Sequence, residues 1–83
     1  MNPLDIETVT PADLAHMAAE FEAAAVQADE AARDGLAAAA DSTESTAARA
    51  LARRCVAIAR RHAADYRAEA AILRSGHLPD SWA

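Results

Sequence analysis

His16 and Glu20 lie four residues apart, and His62, Asp65 and Glu69 fall on one side of a second helical stretch. Imidazole grouped with carboxylates is the ligand set of metal sites inside four-helix bundles, where a Glu is followed three residues later by His. In this chain the order is reversed, and spacing this loose arises by chance. No metal and no cofactor is expected; these five residues are the weak candidates, with His62 a core-edge histidine beside a carboxylate.

Cys55 would be a reactive thiol in an electropositive, accessible setting, which Arg53 and Arg54 could supply. Its place in the helical pattern assigns it to the packed face instead, as a small buried hydrophobe. Ser42, Thr43, Ser45 and Thr46 are turn and cap residues, and no Ser, His and acid arrangement is discernible from their spacing. No catalytic residue is assigned, and the chain reads as non-enzymatic.

Arg53, Arg60, Arg67 and Arg74 recur every seven residues, with Arg54 and Arg61 beside the first two. Such a ridge suits an anionic partner, but it is expected here as a solvated face paired with acids of the preceding helix. The tail His77-Leu78-Pro79-Asp80-Ser81-Trp82-Ala83 carries the only Trp. Leu78, Asp80 and Trp82 are the candidate partner-binding residues, because Trp supplies large contact area at low entropic cost. The competing reading has Leu78 and Trp82 folding back over the end of the helices.

The elements that position these residues are helical. Thr10 is the expected N-cap, Pro11 the first helical residue and Asp13 the partner in a capping box, with Val9 and Leu14 at the spacing of a hydrophobic staple. Leu14, Met17, Ala18, Phe21, Ala25, Ala28, Ala32, Leu36 and Ala39 recur at three- and four-residue spacing and define one face. Gly35 could end this helix early, yet four alanines follow, so it should run from 11 to about 40. The polar stretch 41–46 reads as a tight turn in which Asp41, Ser42 or Thr43 caps a second helix over about 43–75, stopped by Gly76. The second face is Ala48, Leu51, Ala52, Cys55, Ala59, His62, Ala63, Tyr66, Ala70 and Leu73, with Val56 and Ile58 on its flanks.

Leu51, His62 and Leu73 are eleven apart, as are Leu14, Ala25 and Leu36, a period that predicts nearly straight packing. A short turn forces the helices antiparallel, and pairing positions that sum to about 84 sets Phe21 near Ala63 and Leu36 near Ala48. Residues 1–76 thus form an all-α, antiparallel two-helix hairpin, and 77–83 a short non-helical C-terminal tail.

Alanine supplies 26 of the 83 residues, so helix formation is favoured locally while the core is thin. Two helices cannot enclose a core, and a second copy completing a four-helix bundle is the simplest remedy. Phe21 and Leu51 are expected at or near that self-association seam. Residues 1–41 carry nine acids against Arg33, and residues 42–83 seven arginines against four acids, for an overall charge of −5. That balance argues against affinity gained by neutralising phosphates, so nucleic acid is not an expected partner. No apolar run approaches the ~20 residues that span a bilayer, and no basic-then-apolar leader opens the chain. A single cysteine fits a reducing cytoplasm, the expected location, with signal-independent export left open. Arginine without lysine, together with abundant alanine, points to a GC-rich bacterial source such as an actinomycete or its phage.

The capped, Ala-rich helix and hairpin layout is similar to the small helical hairpins exported by actinobacterial type VII secretion. The family's Trp-x-Gly turn, due near residues 35–46, is absent. Its Tyr-x-x-x-Asp/Glu signal would start at Tyr66, but Ala70 holds the acidic place and Glu69 comes one residue early. The chain is therefore not assigned to that family, and a secreted hairpin of this kind stands as the first alternative to a self-associating interaction module. A bundle metal protein is the second.

Overall fold

The structure, a computed structural model, describes residues 9–79. Two helices account for most of them: α1, Pro11–Ala40, and α2, Thr46–Arg74, packed against each other. The start of α1 is the one its sequence dictates. The Thr10 hydroxyl accepts from the Asp13 amide at 3.1 Å, and the Asp13 carboxylate accepts from the Thr10 amide at 3.0 Å, satisfying two amides that the first turn leaves without helical partners. Val9 packs onto the cluster that contains Leu14, as a staple should. Gly35 does not interrupt α1, which runs to Ala40.

The turn differs from expectation. Asp41 folds onto Thr43, its Oδ1 accepting from the Thr43 amide at 2.9 Å and hydroxyl at 2.6 Å, which occupies both residues in the turn itself. Ser45, rather than Asp41, Ser42 or Thr43, caps α2, its Oγ accepting from the Ala48 amide at 3.0 Å. The later start slides the register by about one helical turn. Phe21 meets the Tyr66 ring, and Glu22 and Asp29 reach Arg74 and Arg67.

The period of the seam also differs. The buried residues of α1 include Leu14, Ala18, Ala25, Ala32 and Ala39, with Phe21, Ala28 and Gly35 half-buried between them; in α2 they are Val56, Ala63, Ala70 and Leu73, with Ala52, Ala59 and Tyr66 between. Steps alternate four and three in both helices, a seven-residue repeat. It replaces the eleven-residue spacing expected above and keeps one narrow stripe of each helix against the other. Leu36, Ala48, Leu51, Cys55 and His62 fall outside this stripe and are exposed. Six of the nine buried hydrophobic residues are alanine, so the helices approach closely. Gly35 faces α2 with no room to spare: a Cβ there would stand 2.7 Å from Val56 Cγ2 and 3.4 Å from the Ala52 carbonyl oxygen.

At the end away from the turn, Leu14, Ala18, Ala70 and Leu73 form a small cluster, covered by Val9, Met17, Phe21 and Leu78. Gly76, at φ 87°, turns the chain out of α2 in the left-handed conformation that favours glycine, and the Gly76 and His77 amides donate to Leu73 and Ile72. That reversal returns Leu78 and Pro79 to the hairpin, where Leu78 is half-buried and Pro79 buried. The resulting shape measures 55 × 21 × 18 Å, two helices wide, with no third layer among the described residues.

Candidate functional site

A two-helix rod has two flat faces, one on each side of the seam. On the back, Glu22 and Asp29 of α1 meet Arg74 and Arg67 of α2. Arg67 grips Asp29 with two nitrogens, at 2.5 and 3.4 Å, and Arg74 grips Glu22 in the same two-pronged way. The guanidinium beside each carboxyl holds it below its ordinary value. The arginine row was expected to pair with α1 acids, and half of it does. Neither Arg53 nor Arg60 makes an ion pair with a described residue. Between the arginines, Ala50, Ala57, Ala64 and Ala71 make an exposed methyl row.

On the front, α2 presents Leu51, Ile58, Asp65 and Ile72 at seven-residue steps, with Cys55, His62 and Glu69 between that row and the seam. The facing residues of α1 are Met17, Ala24, Ala31 and Ala38, with Glu20, Gln27 and Asp34 beyond them. Leu51 is 61% exposed and Ile58 55%, far above what side chains of this kind have in a closed core. Cys55, expected in the core, is exposed because the seam passes through Ala52, Val56 and Ala59 instead. His62 likewise lies in the open, its ring 6.3 Å from that of Tyr66, rather than at a core edge.

The five residues weighed as ligands are not brought together. His16 pairs with Glu20 at 3.1 Å on the outer surface of α1, and both are largely solvent-exposed. Among the described residues no group of three or more His, Cys, Asp or Glu is arranged to hold a metal ion. Glu69 Oε2 is buried without a hydrogen-bond partner. A shallow cleft of about 250 Å³ opens between Pro11, Leu14, Ala15, Leu73, Arg74 and Gly76, where the tail leaves α2.

Of the tail candidates, Leu78 packs on the hairpin's own cluster, the fold-back arrangement. Asp80 and Trp82 lie outside the described residues. Of the two seam candidates, Phe21 is engaged within the hairpin, 6.0 Å from the Tyr66 ring, while Leu51 stands free on the front. Sequence reasoning missed the exposed row through Ile58 and Ile72. The signal was present in their common spacing with Leu51, but the helical pattern counts Leu51 on the packed face of α2 and Ile58 on its flank. No described helix is long and apolar enough to cross a membrane. Comparison with protein-family models, curated proteins and solved structures gives no match.

Proposed function

We propose that this chain is a non-enzymatic assembly module, a helical hairpin that associates with its own copies, two of which supply a four-helix bundle. The observation that carries this reading is an inversion of side-chain size. Val26, Leu36, Leu51, Ile58 and Ile72 are exposed, whereas Leu14, Val56 and Leu73 are the only buried helical residues larger than alanine among those described. Scattered single apolar residues are ordinary on a surface, but Leu51, Ile58 and Ile72 share one row of one helix. Each is about half exposed, so covering it would contribute about 1 kcal/mol, a large share for a scaffold whose own core rarely supplies more than about 3–5 kcal/mol.

The tail is the part offered to a different protein, through Asp80 and Trp82, while Leu78 and Pro79 anchor its base. Sedimentation from low to high micromolar concentration tests the assembly, with a rise in mass and in melting temperature expected together. A monomer at high micromolar concentration, melting cooperatively and independently of concentration, would end the proposal.

A further inference from the structure

The two flat faces are unlike in both charge and side-chain size, and this bears on how copies meet. The front charges are Asp13, Glu20, Asp34, Asp65 and Glu69; Arg54 and Arg61 lie on the outer edge of α2, between the Leu51–Ile58 row and the alanine row of the back. On the back, Arg33, Arg53, Arg60, Arg67 and Arg74 outnumber Glu22 and Asp29. Leu51, Ile58 and Ile72 project from the front, while the back of α2 offers alanines at positions 50, 57, 64 and 71 with the same seven-residue step.

Three pairings of these faces are available. Front on front sets acids against acids and leaves Val26 and Leu36 of the back in water. Back on back sets the arginine rows against each other and leaves the front row uncovered. Front on back lays large side chains over alanine methyls at equal spacing, places acids beside arginines, and covers apolar side chains of both faces.

We infer that copies of this chain join front to back. This rests on the self-association reading and specifies its geometry. The contact is heterologous, so a pair keeps one free front and one free back and continues to add copies, giving a stack rather than a closed dimer. Leu51 and Ile58 are the projecting residues, Ala57 and Ala64 the receiving ones, and the charges set which face meets which. Raising the salt concentration should shorten the stacks, because exposed charges are screened.

The test uses two full-length variants at exposed positions, Ile58→Arg to block the front and Ala57→Glu to block the back, with helical content checked by circular dichroism. The wild type is expected to sediment with a mass that passes the dimer as concentration rises. Each variant alone is expected to remain monomeric, and an equimolar mixture to form a one-to-one dimer that grows no further, because one variant keeps its back and the other its front. If Ala57→Glu alone still forms dimers and mixing rescues nothing, the faces pair front to front; this inference fails while the assembly reading stands. A wild type that stays monomeric at every concentration removes both.

Discussion

Replacing Gly35 by alanine sets two effects of known sign against each other. Within a helix, Gly to Ala is worth about 0.8–1 kcal/mol in favour of alanine, because glycine loses more backbone freedom on folding. At this position the added methyl would stand 2.7 Å from Val56 Cγ2, a separation real Cβ atoms essentially never show, with the Ala52 carbonyl oxygen 3.4 Å away. Valine has one torsion with which to retreat, and moving the helices apart loosens the alanine contacts on either side. Overpacking of this kind costs about 1–3 kcal/mol, so Gly35→Ala is expected to be destabilising by up to about 2 kcal/mol, with a melting temperature lower by about 4–8 °C per kcal/mol. The Val56→Ala background provides the control. That change alone removes two buried methyl groups and should cost about 2 kcal/mol, but it also empties the space the new methyl needs. There Gly35→Ala should turn stabilising by about 1 kcal/mol. Urea denaturation of the four proteins at one low concentration measures the cycle. Should Gly35→Ala stabilise the otherwise native chain by the full propensity difference, the close approach at Val56 is wrong.

Three further outcomes follow from the same geometry. Asp13, Glu22, Asp29 and Asp41 are held below their ordinary values by hydrogen bonds to Thr10, Arg74, Arg67 and Thr43 respectively. The stability they contribute is therefore complete above the ordinary carboxyl range and is lost as pH falls through the lowered values; melting temperature should be flat above about pH 5 and decline below it, less steeply in the Arg67→Gln, Arg74→Gln double variant. Leu78→Ala should lower stability by about 1–2 kcal/mol, since the side chain is half-buried on the Leu14–Leu73 cluster, and an unchanged urea midpoint would show that the tail does not rest there. Cys55 should react promptly with a small disulfide reagent in dilute protein and more slowly as concentration rises and the front is covered; a rate independent of concentration would contradict that covering.

The sequence made the ends of the elements plain and the seam obscure. Caps are local chemistry, and the Thr10, Pro11 and Asp13 arrangement and the Gly76 exit are legible because each needs particular residue types at fixed offsets. The turn was harder, since residues 41–46 hold several possible caps and only the fold of Asp41 onto Thr43 leaves Ser45 as the one that starts α2. The seam was hidden by alanine itself. With alanine at almost every third or fourth position, seven- and eleven-residue spacings both find small residues to follow, and the larger Leu36, Leu51 and Cys55 draw the pattern onto themselves. The stripe that forms sets Gly35 against Val56, where a Cβ on residue 35 would stand 2.7 Å from Val56 Cγ2. The front row escaped notice for the complementary reason, that large apolar residues read as core until something smaller is found to occupy it.

The gradient of side-chain size along the rod has a counterpart in chain entropy. Beside the turn, Arg49 Nε donates to the Ala39 carbonyl at 2.8 Å across a separation of 10 residues, whereas Arg74 reaches Glu22 across 52. Each doubling of a closed loop costs about 0.6 kcal/mol more, so a contact at the open end closes against about 1.4 kcal/mol more than one beside the turn. Alanine and glycine, which bury little, line the part of the seam where closure costs least. Leu14 and Leu73, with Met17, Phe21 and Leu78 around them, stand where it costs most, and the Gly76 turn brings Leu78 and Pro79 back to add to them. The heaviest side chains thus fasten the hairpin at its mouth, where the polymer has most to gain by coming apart.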